Sequence, residues 1–315
     1  MTLTTTTQVG PAVSTMYDRL LLMRARPYLI HTLFAQRRNI NRKSGNTIKF
    51  RRYSALSVAT TPLGEGSPPS GSQLSKTDLT ATASQYGDFV EVSDVVDLLV
   101  EDAVITEAVE LLGQQFGETV DAIVRDTLSS VASATNASGG TNGNTPTEIT
   151  KSDIDGVVKT MMGNDAKFIS EIIDGKSEAA FGTAPIAPAY FALADADISD
   201  DISDVANFVS VEEYGMKQPV LEAEWGASGR VRFLLSSAGK ATSESPTQYH
   251  VFIVGQNAYG MTEIEGGTAK VIVKAFGSGG TSDPLDQKSS IGWKTFLVSR
   301  VLNDNFMQNL EVTHS

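Results

Sequence analysis

Between residues 101 and 134, apolar positions recur at steps of three and four: Ile105, Ala108, Val109, Leu112, Phe116, Val120, Ile123, Val124, Leu128 and Val131. That spacing predicts one long amphipathic helix, roughly 45 Å at the helical rise per residue. Gly113 and Gly117 share one of its faces at a four-residue step, where another element could approach closely; ordinary tolerance of glycine explains the pair nearly as well. Upstream the period changes to two. In NTIKFRRYSAL, Ile48 and Phe50 fall on one face and Lys49, Arg51 and Tyr53 on the other, which predicts a strand. A second flank, LTATASQYGDFVEVS, is rich in Thr, Val and aromatics. Between them lies TPLGEGSPPSGSQL, a Pro- and Gly-rich tip with almost no apolar surface. Two long strands with polar faces and such a tip have no core of their own. The hairpin must therefore gain its order from a surface outside itself, and a second subunit is the expected source.

The remaining pattern alternates. YDRLLLMRARPYLIHTLF begins helix-like, and Pro27 limits it to a short helix. After the long helix, ATNASGGTNGNTPTE reads as a flexible loop, and Thr150 with Asp153 has the spacing of a capping box for a helix over TKSDIDGVVKTMM. PVLEAEW, RVRFLLSS, QYHVFIVG, AKVIVKAF and GWKTFLVSRVL read as strands parted by Gly, Ser and Pro turns, so the body is α+β. No internal repeat is present.

Composition narrows the function classes. The 315 residues, 41% hydrophobic, suffice for one large domain or two closely packed ones. The chain has no Cys, which excludes disulfides, thiolate metal sites and a Cys nucleophile. No apolar run approaches the length of a membrane span, and the Thr-rich N-terminus lacks the layout of a signal peptide, so the reading is of a cytoplasmically made chain with no membrane partner. The net charge of −12 is segregated: residues 1–64 hold ten basic side chains and one acid, and the remainder 15 basic and 36 acidic. A basic arm on an acidic body suits contacts between copies of one chain. A merely solvated basic surface is the commoner meaning of such a run, and the acidic body argues against a stand-alone nucleic-acid binder.

Chemistry is sparse. Lys240 in SSAGKAT lacks the glycine spacing and following hydroxyl of a phosphate loop, and GSGGTSD is a glycine turn. Asp195, Asp197, Asp200, Asp201 and Asp204 miss the calcium-loop pattern, which wants Gly where Asp200 stands and Glu where Ala206 stands; a solvated helix start, or an acceptor for a neighbour's basic arm, fits better. His31, His250 and His314 are far apart in sequence, and His250 reads as a satisfied strand histidine. No cofactor, metal or catalytic residue is expected.

The order of parts resembles the major capsid proteins of tailed bacteriophages, and the wording is more specific. LLLMRARPYLIHTLFAQRRNINRKSGNTIKFRRYSAL, TPLGEGSPP, ASQYGDFVEVSDVVDL, ITEAVELLGQQFGETVDAIVRD, TAPIAPAYFAL, FIVGQNAYGMTEIEG and GSGGTSDPLDQKSSIGWKTFLVSRVLNDNFM are similar, in order, to the capsid family first described in N-four-like phages. The resemblance implies the tailed-phage major capsid fold, shared with encapsulins and herpesvirus capsid floors. It implies an N-terminal arm (1–45), an extended loop (46–93), a peripheral domain with a spine helix (94–185), an axial domain (186–285) and a return to the peripheral domain (286–315). The implied function is structural and not enzymatic: hexamers and pentamers closing an icosahedral shell around phage double-stranded DNA, held non-specifically on its inner face. Expected partners are copies of the chain, a separate scaffolding protein, portal and decoration proteins, in a virion assembled in the host cytoplasm. An encapsulin-like nanocompartment is the alternative. The expected inter-subunit residues are Arg37, Arg38, Arg42, Lys43, Arg51, Arg52, Pro62, Glu65, Pro68 and Pro69.

Overall fold

The computed structural model describes residues 21–94 apart from 22, 26, 27, 42, 44, 55, 61, 63–65 and 67–70; residues 104–170 apart from 132 and 133; residues 188–264 apart from 215–220 and 222; and residues 270–314 apart from 275, 277–284 and 286. Helix α1 (Val104–Ser129) is the expected spine, with Ala108, Val109, Leu112, Phe116, Val120, Val124 and Leu128 buried. Its 26 residues run about 39 Å. It ends sooner than the apolar stripe because the Ser129 and Ser130 hydroxyls bond back to the carbonyls of Asp126 and Thr127, competing with continuation of the helix. Ile105 lies where side chains are not described.

One layer is a five-stranded sheet. β1 (Gln36–Ile40) runs parallel to β12 (Tyr259–Ile264), which pairs with β14 (Lys288–Val301); β13 (Lys270–Lys274) and β4 (Ser84–Ser93) also pair with β14. The register places β12 and β13 along one side of β14 and β4 along the other, so β4 is one edge and β1 and β13 lie on the opposite one. Helix α1 covers one face of this sheet, where Trp293 meets Phe116 edge-on at 5.1 Å between ring centroids.

The second layer has eight strands: β5 (Ala134–Asn136), β15 (Met307–Thr313), β11 (Gln248–Val254), β6 (Tyr190–Asp195), β9 (Val231–Ser236), β8 (Glu224–Ser228) and β7 (Phe208–Ser210) in spatial order, with β10 (Lys240–Thr242) on β11. Both faces of its central strands are buried, and their side chains alternate between two cores. Phe191, Leu193, Leu234, Phe252 and Val254 face the core around α1. Tyr190, Ala192, Phe233, Val251 and Ile253 face α2 (Lys151–Gly163) and α3 (Ser199–Ser203).

Thr150 and Asp153 form the capping box that their spacing predicts. Asp153 also accepts from the amides of Ser138 and Gly140, so the connection expected to be a flexible loop is fixed to the helix start. The segments expected as successive domains interleave in space: β5 and α2 belong with the eight-stranded sheet, while β12 and β13 join β14 in the other. The cause is β14, a 14-residue strand long enough to pair with three others.

Candidate subunit-contact surface

The hairpin is shorter than its sequence flanks. β2 (Thr47–Tyr53) pairs with β3 (Lys76–Thr82), whereas residues 84–93, expected in the second flank, leave the hairpin and become β4 along β14. Ten residues of pairing with β14 outweigh a longer two-stranded ribbon. The root of the hairpin is also anchored on its own body. Phe50 is buried against Gly260 of β12, where a Cβ would come 2.9 Å from the ring, so only glycine admits the close approach. Arg38 of β1 lies over the other end of this packing, 5.7 Å from the Phe50 ring centroid. Arg52 donates to Asn303 Oδ1 at 2.7 Å. Between the root, the C-terminal half of α1 and the end of β14 lies a cavity of about 630 Å³ whose walls include Arg52, Asp126, Arg300 and Asp304. Burial alone would raise Asp126, but hydrogen bonding to Lys240 and the charge of Arg125 hold its carboxyl below the usual range.

Beyond the root the hairpin stands free. Tyr53, Leu56, Val58 and Leu74 are 57%, 53%, 85% and 67% exposed. Arg51 donates to Asp78 across the strands at 3.0 Å, and this exposed bond holds Asp78 below and Arg51 above their ordinary values. Of the other expected contact residues, Arg37, Arg38, Lys43, Arg52 and Pro62 are exposed, and Lys43 has a left-handed backbone with φ of 68°. Arg37 and Arg38 share β1, while Arg51 and Arg52 share β2. Arg42, Glu65, Pro68 and Pro69 lie outside the described residues.

The arm is clamped before it reaches β1. Leu21 and Ala25 pack on Gly113 and Gly117, where added Cβ atoms would meet their carbonyl oxygens at 2.8 and 2.7 Å. The glycine pair is therefore a seat for the arm. Six residues further, Asp121 of α1 accepts from the backbone N–H of His31 at 2.7 Å and binds its Nδ1 at 2.6 Å, with both side chains buried. Tyr259 donates its hydroxyl to the His31 carbonyl at 2.6 Å; burial, then the Asp121 charge, push that phenol well above its usual range. Neither residue stood out in the sequence. The available signal was Asp121 itself, a carboxylate one turn before Val124 and beside Val120 on an apolar stripe, which requires a buried partner.

The acidic cluster is a structural cap. Asp195 accepts from the Asp197 amide, Asp201 pairs with His314 at 2.8 Å, and among the described residues no group of His, Asp and Glu is placed to hold a metal ion. His250 is buried beside Asn309, with Nδ1 in hydrogen-bond contact with that amide. Among the described residues no helix is long and apolar enough to cross a membrane.

A body with two buried cores, a clamped arm and a projecting hairpin whose described outer residues Leu56, Val58 and Leu74 are exposed suits a subunit built for assembly. The sequence profile of the family described as "Phage capsid protein" matches residues 76–294. The chain belongs to the phage capsid protein family, and its role is that of a structural major capsid protein. No curated protein matches it. Among solved structures, the capsid of Ralstonia phage GP4 is similar with a TM-score of 0.67 at 11% identity, covering 90% of this chain and 87% of that one. The head of Helicobacter pylori bacteriophage KHP40 gives 0.64 at 11% identity over 90% and 88%. The capsid of cyanophage P-SCSP1u gives 0.58 at 14% identity over 91% and 89%. At these identities the likeness is one of fold.

Proposed function

We propose that copies of this chain assemble as hexamers and pentamers into a closed icosahedral shell around double-stranded DNA, each hairpin lying over an adjacent subunit. The observation that carries this reading is the outer half of the hairpin: Leu56, Val58 and Leu74 are apolar, exposed and unsupported by the chain's own body. Such surface is stabilised by burial against a partner, and the match to a capsid family makes another copy the natural partner. The basic groups at Arg37, Arg38, Arg42 and Lys43 meet acidic surface on neighbours, because residues 65–315 carry 36 acids. DNA on the inner face is held without sequence preference, and scaffolding, portal and decoration proteins complete a virion built in the host cytoplasm. Many weak contacts, repeated around a closed shell, hold it together without any one of them being strong.

Reversing Arg37, Arg38, Arg42 and Lys43 to Glu and expressing the variant without viral DNA tests the arrangement. Electron micrographs should show shells from the wild-type chain and none from the variant. Normal empty shells from the variant would assign these residues to DNA instead of subunits. A wild-type chain that stays a small oligomer under every assembly condition would refute the shell reading.

A further inference from the structure

The five-stranded sheet ends at β4, and the outer side of β4 is open: among the described residues no strand pairs with it there. In an antiparallel ladder alternate residues bond to the partner and the others point away. The Asp94 amide donates to the Gln287 carbonyl, which continues the β4–β14 register and makes the even-numbered residues of β4 the bonded ones. Gln85, Gly87, Phe89, Glu91 and Ser93 therefore direct their backbone groups to the open side. Of their amides, that of Phe89 is capped by the Asp88 carboxylate at 2.8 Å. Phe89 is 63% exposed. Its neighbour across the ladder is Gly292, where a Cβ would come 2.7 Å from the Phe89 Cβ, so the ring lies at the sheet margin with no side chain opposite it. The edge carries neither Pro nor Lys in its ten residues, and its two charges are Asp88 and Glu91.

The same chain carries a strand sequence with no strand partner among the described residues. Residues 56–60, LSVAT, alternate Leu56, Val58 and Thr60 with the small Ser57 and Ala59, and contain no charge and no Pro. They are exposed and outside any strand, just past Tyr53↔Lys76, the last pair of the hairpin. The pairing of β2 with β3 sets the last hairpin pair about 23 Å from Ala83, the residue before β4, at seven residues of strand rise, and residues 56–60 follow beyond that pair. The local charges are of opposite sign: Lys49 precedes this stretch, while Asp88 and Glu91, already in contact with Gln115 and Lys288, lie on β4.

We infer that the open edge of β4 takes residues 56–60 of a second copy's hairpin as an added strand, with Leu56 and Val58 covering Phe89. This rests on the reading of the chain as a shell subunit and names the surface that receives the hairpin. Strand addition supplies affinity through main-chain hydrogen bonds, which tolerate small changes of curvature, and the apolar contacts set the register. The contact is heterologous, hairpin of one copy to edge of the next, the kind that closes into rings where the rotation between copies permits.

The absence of Cys makes a clean test. Particles are assembled from Val58→Cys/Phe89→Cys and, for comparison, from Val58→Cys/Trp225→Cys, whose second position is also exposed. They are treated with a bismaleimide and run on a denaturing gel. The first pair should give a ladder of linked chains at least about tenfold stronger than the second, because docking raises the effective concentration of the two thiols. Equal or weaker linking in intact particles overturns the inference and leaves the shell reading standing, whereas failure of the wild-type chain to form particles overturns the shell reading itself. Phe89→Glu provides a second measurement. It should keep the wild-type far-UV circular dichroism and sediment as unassembled chain; normal particles from it would overturn the inference.

Discussion

Asp121 is the side chain whose loss should cost the arm its anchor. In Asp121→Ala two buried donors, the His31 backbone N–H and the ring N–H at Nδ1, lose their acceptor at once. Both residues are fully buried, so water does not replace it. At about 1–3 kcal/mol for each orphaned donor, the loss comes to about 2–6 kcal/mol. For a chain of this length that is roughly 4–12 °C in melting temperature, at about 2 °C per kcal/mol. Asp121→Asn separates hydrogen bonding from charge. Its amide oxygen still accepts from the backbone N–H, and the imidazole must move its proton to Nε2, which has no hydrogen-bond partner among the described residues. One orphaned donor then remains, at about 1–3 kcal/mol. The assay is thermal and urea unfolding of unassembled chain, followed by circular dichroism, with limited trypsin digestion to report the arm. Cleavage at Arg24 should accelerate more in Ala than in Asn. An alanine variant within about 1 kcal/mol of wild type, with unchanged cleavage, would refute the claim that this buried carboxylate holds the arm.

Gly117→Val should destabilise the chain by about 1–3 kcal/mol despite its better backbone entropy, because the side chain would overlap the Ala25 carbonyl; a denaturant midpoint at or above wild type would remove the seat. Phe116→Asp places a charge on the buried stripe beside Trp293 and should abolish soluble folded protein, so a wild-type melting curve would mean that this packing is absent. Deleting residues 62–72 should leave the monomer's circular dichroism nearly unchanged and abolish closed shells, as judged by electron microscopy. The hydrogen bond to Asp201 raises His314 above its ordinary value, so its contribution is full below the unfolded pKa and lost as pH rises through the folded one. Amide exchange in β15, corrected for intrinsic rate, should therefore be slower at about pH 5.5 than at about pH 8, and His314→Ala should abolish the difference.

The spine and the strands were legible because each carries a periodic signal that burial enforces. The stripe from Ala108 to Leu128 repeats at helical steps, and Ile48 and Phe50 alternate with Lys49 and Arg51. The capping box was legible for a similar reason, since Thr150 and Asp153 interact within one turn. What pairing decides at long range was not legible. Residues 84–93 look like the second half of a hairpin, and only the 14 residues of β14, two hundred positions later, draw them into the sheet. The link between His31 and Asp121 spans 90 residues and has no period. In the contact surface, the exposed arginines could be named from charge alone, but their division between β1 and β2 depends on where Phe50 docks.

That division bears on how one chain can serve two kinds of capsomer. The arm is fixed to the spine at Gly113, Gly117 and Asp121, and the hairpin root is fixed to β12 through Phe50. Both attachments use fully buried contacts, which change little until they break. Among the described residues of the outer hairpin no such contact is present, so its position relative to the body can vary at little energetic cost. In the proposed shell, differences in curvature between rings of five and six would then be absorbed beyond Tyr53 and not in the sheet or the spine. A receiving surface made of main-chain groups suits this arrangement, because a strand can tilt along an open edge while keeping its hydrogen bonds. A socket shaped around side chains would demand one angle.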